Sequence, residues 1–89
     1  MILDEIFKFL HGVGLVPNHA IFSTEYLGHS ARYYDYLRCS GKQPSVRSLV
    51  KVSGQLQRLA RDHDAPSTHS DFAHTLSHRA MSAVFERCG

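Results

Sequence analysis

Apolar side chains recur three and four positions apart along most of the chain, which is the spacing of amphipathic α-helices. Short stretches that contain glycine, proline or serine separate the segments with this spacing. No run of alternating apolar and polar residues indicates a β-strand. The pattern therefore predicts an all-α protein in which five helices, joined by short loops, form a single domain over residues 1–89.

Two short helices are predicted before Gly28. The first covers residues 2–10, carries acidic side chains in its first turn and is followed by Gly12. Asn18 is expected to cap the second helix, which runs from about residue 19 to residue 27. Its inward candidates are Ile21, Phe22 and Leu27. Gly28 is expected to end this helix in the left-handed conformation, which costs glycine little.

A third and a fourth helix are predicted on either side of a loop with glycine and proline. Ser30 is expected to cap the third helix, which runs to about Cys39, and Ser45 to cap the fourth. The apolar stripe of the fourth helix consists of Val46, Leu49, Val50, Leu56 and Leu59. Gly54 lies inside this helix and costs about 1 kcal/mol relative to alanine, unless close packing uses the missing side chain.

The C-terminal part of the chain is predicted to be a polar linker followed by one amphipathic helix. The linker covers residues 62–70, and Ser70 is expected to cap a helix over residues 70–87. The apolar residues of this helix are Phe72, Ala73, Leu76, Ala80, Met81, Val84 and Phe85. They exceed what a small core needs, so the helix either closes the core or forms a homodimer interface, and both interpretations remain open.

Composition places the chain among small globular proteins. Its 89 residues are 43% hydrophobic and 20% charged, which is typical of a folded domain. No apolar run is long enough to cross a membrane, and the acidic N-terminal residues do not fit a signal peptide. Cys39 and Cys88 lie far apart without metal-type spacing, which predicts two reduced thiols. We therefore expect a cytoplasmic protein without membrane contact.

The position of the charges is more informative than the net charge of +2. Between residues 32 and 51 there is one acidic residue, Asp35. The same segment carries five basic residues: Arg32, Arg38, Lys42, Arg47 and Lys51. This concentration is typical either of a solvated helix face or of a surface that contacts phosphate groups.

The third helix is the candidate for contact with DNA. A helix that reads DNA is held by a partner helix, exposes hydrogen-bonding side chains near its N-terminus and is flanked by phosphate contacts. With Tyr34 and Leu37 turned inward, the outward side is predicted to carry Ala31, Arg32, Tyr33, Asp35 and Tyr36. The residues predicted to face bases are Arg32, Tyr33 and Tyr36, with Ala31 beside them. The residues predicted to face phosphates are Ser30, Arg38, Lys42 and Arg47.

The segment from Gly28 to Leu56 follows the residue order of a known DNA-binding unit. A turn glycine, a capping polar residue, two inward apolar residues, Pro–Ser and a leucine-rich helix follow one another: Gly28, Ser30, Tyr34, Leu37, Pro44, Ser45, Leu49 and Leu56. The segment resembles the helix-turn-helix domain of the lambda repressor and Cro regulators. The resemblance implies a lambda-repressor-like core over residues 18–60 and a DNA-binding transcription regulator that acts as a dimer. The stretches FSTEYLG, SARYYDYLR and PSVRSL also resemble small alphaproteobacterial proteins, which implies a bacterial source.

Three positions depart from the regulator family. His19 stands where a glutamine usually contacts a phosphate, and Arg38 replaces an acidic residue near the end of the third helix. In the family, a small residue four positions before the turn glycine lets the second and third helices touch. Thr24 occupies that position here. Ser23 fits that position only if the second helix gains one residue.

Other kinds of function have weaker support in the sequence. The main alternative is an adaptor or antiactivator that binds another regulator through the tyrosine-rich side of the third helix. His74 and His78 share a helix face, but nothing completes a familiar metal site, so no metal or cofactor is expected. No GxSxG, HExxH or glycine-rich phosphate loop is present, so no enzyme is expected.

Overall fold

Residues 2–61 and 67–88 are described by a computed structural model, with side chains for residues 2–61 and 68–86. Every regular element in these residues is a helix, which confirms the predicted all-α class. The elements in chain order are α1 Ile2–Gly12, α2 His19–Ile21, a π-helical segment Phe22–Tyr26, α3 Tyr33–Ser40, α4 Val46–Ala60 and α5 Ser67–Cys88. The π-helical segment directly continues α2, so the two form the second of five helices.

One apolar core joins all five helices, because each places side chains at helical spacing on one side. From the first half of the chain the core takes Leu3, Ile6, Leu10, Val16, Phe22, Leu27, Tyr34 and Leu37. From α4 and α5 it takes Leu49, Val52, Leu56, Ala73, Leu76, Ala80 and Val84. Among the described residues, Tyr34 and Phe22 have the largest side chains that are fully buried, so α3 and the π-helical segment supply the bulkiest parts of the core.

The most extensive helix pair is α4 with α5, and two buried serines lie at its contact. The hydroxyl oxygens of Ser53 and Ser77 are 3.0 Å apart. Each hydroxyl also lies 3.3 Å from the backbone carbonyl oxygen of the other serine. Small side chains let the helices approach closely, and the mutual hydrogen bonds offset the cost of burying hydroxyl groups.

The predicted start of the last helix is wrong. α5 begins at Ser67, so Ser70 lies inside the helix and does not cap it. Residues 67–70 are therefore helical, while residues 62–66 of the predicted linker lie outside the described residues. The His69 ring packs against Phe9 of α1, with ring centroids 6.1 Å apart. This contact with α1 stabilises the first turn of α5, and a capping signal in the local sequence cannot predict it.

Two apolar side chains that were expected to face the core, Ile21 and Val50, are exposed. Phe72 and Phe85, for which the sequence left open a place in the core or in a homodimer interface, are exposed as well. Val50 falls outside the buried stripe of α4 because Leu49 and Val52 already define the inward side. Phe72 and Phe85 are thirteen positions apart, which places them about 140° apart around α5. They therefore do not form one continuous apolar strip.

The same substitution at two glycines should change stability in opposite directions. A Cβ at Gly54 would meet no atom within 4 Å apart from its own helix backbone. Gly54→Ala should therefore raise the free energy of unfolding by about 0.5–1 kcal/mol. Gly28 has φ +70°, and a Cβ there would lie 2.9 Å from Cδ of Lys51. Gly28→Ala should therefore lower the free energy of unfolding by about 1–2 kcal/mol.

Urea denaturation followed by circular dichroism measures both changes. Wild-type protein is the reference, and each variant serves as the control for the other. A destabilised Gly54→Ala variant would contradict the open position of that residue.

Candidate functional site

The turn that leads into α3 is closed by backbone hydrogen bonds. The N–H of Leu27 donates to the carbonyl of Phe22 at 3.2 Å, and the N–H of His29 donates to the carbonyl of Ser23 at 3.1 Å. Between them Gly28 has φ +70°, so the left-handed glycine expected at the end of the second helix is present. The side chain of Lys51, from α4, lies over Gly28.

Ser23 joins the second helix to α3. Its side chain is fully buried, its hydroxyl donates to the carbonyl of His19 at 2.9 Å, and it accepts the N–H of Tyr34 at 3.0 Å. Thr24, the next residue, is exposed, and its hydroxyl donates to the carbonyl of Ala20. A π-helix holds one more residue per turn than an α-helix, so the π-helical segment supplies the extra residue that brings Ser23 to this position.

Tyr34 links α3 to α1 and to the second helix. It is buried, and its hydroxyl donates to the carboxylate of Asp4. Its ring packs against Phe22 and Phe7, with centroids 5.0 Å and 5.6 Å away. Burial, together with the hydrogen bond to Asp4, raises the pKa of the Tyr34 phenol. Tyr34 is therefore a neutral anchor that fixes the inward side of α3.

The predicted start of α3 is also wrong. The helix begins at Tyr33 with Arg32 at the N-cap position, and the Arg32 side chain makes no capping hydrogen bond. Ser30 lies two residues before the N-cap, and its carbonyl accepts the N–H of Tyr33 at 3.1 Å. Ser30 and Ala31 are exposed parts of the turn. Because the turn that follows the π-helical segment includes Ser30, α3 begins three residues after the serine that the local sequence favours as its cap.

Tyr33 was expected to face bases, but the structure half-buries it against α4. Its ring stacks on His29, with centroids 3.8 Å apart. Its hydroxyl accepts the N–H of Ser45 at 3.0 Å and lies 3.3 Å from the hydroxyl of Ser48. The Tyr33 side chain therefore connects the first turn of α3 to the N-terminus of α4.

Arg38 was expected to face phosphates, but it points toward α1. Its Nε lies 3.7 Å from a carboxylate oxygen of Asp4, and its guanidinium lies 5.7 Å from the centre of the Tyr34 ring. Asp35 is likewise paired, because Nδ1 of His19 lies 2.6 Å from its carboxylate oxygen. These contacts join α1, α2 and α3 along one side of the molecule.

Few large side chains are exposed on the solvent side of α3. Arg32 and Cys39 are exposed, and Tyr36 is 51% exposed. The ammonium of Lys42, in the loop after α3, lies 5.5 Å from the centre of the Tyr36 ring. The hydrogen bond with Tyr36 raises the pKa of Lys42, which stays a cation. Arg47 is exposed on the first turn of α4, where the Ser45 hydroxyl accepts the N–H of Ser48 and so caps the helix as predicted.

Beyond Asp35, the charged residues of α3, α4 and the loop between them are all basic. No acidic residue occurs between residues 36 and 61, while this segment holds six basic residues: Arg38, Lys42, Arg47, Lys51, Arg58 and Arg61. Ion pairs within the described residues join Arg38 to Asp4, His19 to Asp35 and Arg79 to Glu5. The other five basic residues of this segment, Lys42 to Arg61, are not among them, so the segment carries an excess of positive charge that these ion pairs do not neutralise.

Comparison with known protein families assigns the chain to a family by sequence. A family model described as a family of unknown function, DUF6626, matches residues 3–88. The chain belongs to the DUF6626 family. No curated protein and no solved structure shows significant similarity to it.

Four contributors to the site of this DUF6626 chain were missed or misplaced by sequence reasoning: His19, Ser23, His29 and Lys51. Ser23 was considered only for a second helix with one extra residue, and the π-helical segment supplies that residue. Lys51 was counted as a charge, but its position over Gly28 follows from the approach of α4 to the turn. His29 stacks on Tyr33, a contact that no spacing rule predicts.

The histidines of α5 do not form part of a metal site within the described residues. His74 and His78 are exposed on α5 with ring centroids 4.4 Å apart. Across residues 2–61 and 67–88, no group of three or more His, Cys, Asp or Glu side chains is arranged to hold a metal ion. No helix in that part of the chain has the length and apolar character needed to cross a membrane. Cys39 is an exposed free thiol.

Removal of the Ser23 hydroxyl should destabilise the protein. In Ser23→Ala the buried N–H of Tyr34 loses its acceptor, so the free energy of unfolding should fall by about 1–3 kcal/mol. Thr24→Ala removes an exposed hydroxyl one residue later and should change it by less than about 0.5 kcal/mol. Chemical denaturation of the two variants measures the difference, and equal effects would show that the Ser23 contact contributes nothing specific.

Proposed function

We propose that this chain is a DNA-binding transcription regulator whose helix-turn-helix consists of α2 with the π-helical segment, the turn at Gly28, and α3. One observation supports this best: the exposed side of α3, with Arg32 and Tyr36, has at each end a cation that forms no ion pair within the described residues. Lys42 follows its C-terminus, and Arg47 lies on the turn of α4 that contacts its first residue. A rigidly held helix with flanking cations fits the major groove of DNA. Such a regulator acts in the cytoplasm and needs no cofactor for this contact.

The proposed contact set is smaller than the sequence predicts. Arg32, at the start of α3, is the proposed base reader, because a guanidinium can donate two hydrogen bonds to guanine. Lys42 and Arg47 are the proposed phosphate contacts, and the exposed turn at Ser30 and Ala31 lies next to Arg32. Tyr33 and Arg38 are not proposed as DNA contacts. The Tyr33 hydroxyl already bonds to the N-terminus of α4, and the Arg38 guanidinium already pairs with Asp4 of α1.

The adaptor alternative is less well supported by the geometry. It rests on a tyrosine-rich side of α3, but Tyr34 is buried and Tyr33 is half-buried. Only Tyr36 of the three remains largely exposed, and Lys42 lies over its ring. A protein partner would therefore meet a mainly basic surface with one aromatic side chain on α3.

A homodimer through α5 remains part of the proposal, because two copies are needed to read two half-sites. Phe72 and Phe85 are the exposed apolar side chains of α5, but they lie on different sides of the helix. A dimer would therefore cover one of the two. Light scattering on wild-type protein and on the Phe72→Ser and Phe85→Ser variants identifies which one.

DNA binding should weaken steeply with salt, because each neutralised phosphate releases condensed counterions. We expect Lys42→Gln and Arg47→Gln each to reduce the slope of log affinity against log salt concentration by about 1. Fluorescence anisotropy with a labelled duplex, titrated between low and physiological salt, measures the slope for each variant.

Lys8→Gln is the matched control for these variants. Lys8 is an exposed cation on α1, on the side of α3 that carries the buried Tyr34 ring. Its removal should leave the slope unchanged. Wild-type protein that binds no duplex, or equal slopes for Lys8→Gln and the two site variants, would contradict the proposed function.

Arg32→Ala should reduce sequence discrimination more than overall affinity. A two-fold hydrogen bond to guanine contributes about 1–3 kcal/mol of preference for the correct base, so the ratio of affinities for selected and random duplexes should fall about 5- to 150-fold. The selected duplex is obtained from a randomised pool with wild-type protein. If the ratio stays constant in Arg32→Ala, Arg32 does not read a base.

A further inference from the structure

The solvent side of α4 carries a narrow basic stripe. Successive residues of an α-helix are rotated by about 100°, so Arg47, Lys51, Gly54 and Arg58 fall within an arc of about 60°. All four are exposed. We call these four residues the α4 stripe. Its centre lies opposite the buried stripe that includes Leu49, Val52 and Leu56, so it points away from the core.

Among the described residues, the cations of the α4 stripe take no part in the ion pairs that join the helices of the fold. Its three cations are exposed, and no acidic residue occurs from position 36 to position 61. The ion pairs within the described residues involve Arg38, His19 and Arg79 and none of the stripe cations. Arg61, at the end of the same helix, differs, because it borders a surface cavity with Asp71 and His74 of α5. The stripe is therefore the part of α4 best suited to an anionic ligand.

Gly54 is the second and independent feature of the stripe. A helix-interior glycine is unfavourable, and a Cβ at Gly54 would have open space around it. Its backbone is helical and does not have the positive φ that would favour glycine. Neither packing nor backbone geometry therefore accounts for a glycine at this position. Between Lys51, one turn before, and Arg58, one turn after, the missing side chain leaves the helix backbone accessible from solvent.

We propose that the α4 stripe binds the sugar–phosphate backbone of DNA, with the phosphate group closest to the helix at Gly54. This inference rests on the proposed function and extends the contact surface from α3 along about 16 Å of α4, from Arg47 to Arg58. The stripe adjoins the proposed α3 site, because Arg47 belongs to both and Lys51 lies over the Gly28 turn. Contacts of this kind add affinity without reading sequence.

The test measures the salt dependence of binding to two duplexes, the selected one and a random one of equal length. Lys51→Gln and Arg58→Gln should each reduce the slope of log affinity against log salt by about 1, equally for both duplexes. Arg61→Gln removes the same charge three residues beyond Arg58 and should leave the slope unchanged. If Lys42→Gln lowers the slope while Lys51→Gln and Arg58→Gln do not, the α4 stripe is overturned and the proposed function stands.

Gly54→Gln tests the close approach separately. Glutamine is neutral and a good helix former, so this variant should unfold at a higher temperature than wild type yet bind both duplexes several-fold more weakly. Gln57→Ala, on the edge of the same helix side, is the control and should bind as wild type does. Wild-type affinity in a stabilised Gly54→Gln variant overturns the approach at Gly54. Failure of wild-type protein to bind DNA overturns the stripe and the proposed function together.

Discussion

The arrangement of the site depends on one buried hydroxyl group, that of Ser23. It satisfies the carbonyl of His19 in the second helix and the N–H of Tyr34 in α3, so it fixes the distance between the two helices. The π-helical segment brings Ser23, rather than Thr24, to this contact. A one-residue change in helix geometry therefore decides which residue of the second helix contacts α3.

Much of the fold was predictable, because helical periodicity is a local property that the sequence carries directly. Gly28, Ser45 and the buried stripe of α1 appear where their spacing predicts, and so do Leu49 and Leu56 of α4. The starts of α3 and α5 were not predictable from Ser30 and Ser70, since contacts with distant helices outweigh capping preferences of about 1 kcal/mol. The only local sign of the π-helical segment is that the small residue expected from the regulator family falls on Thr24 and not on Ser23.

The candidate site was less predictable than the fold, because its side chains are assigned by distant partners. Arg38 turns to Asp4, which lies 34 positions earlier in the chain, and Tyr33 turns to Ser45. Charge counting along the sequence treats Arg38 and Arg47 alike, although one is paired and the other is not. Only the helix order and the length of the loops limit such pairings, and neither is specific enough to choose among them.

The hydroxyl of Tyr33 has a mechanical consequence for any ligand that spans α3 and α4. Because it accepts the N–H of Ser45 at the first turn of α4, the two helices are joined at the point where both meet the turn. The two helices would therefore move as one body. If the shape of the ligand did not match theirs, the ligand would have to deform. For a DNA duplex, that cost depends on how easily the sequence bends, so flexible steps would be favoured at positions that no side chain touches.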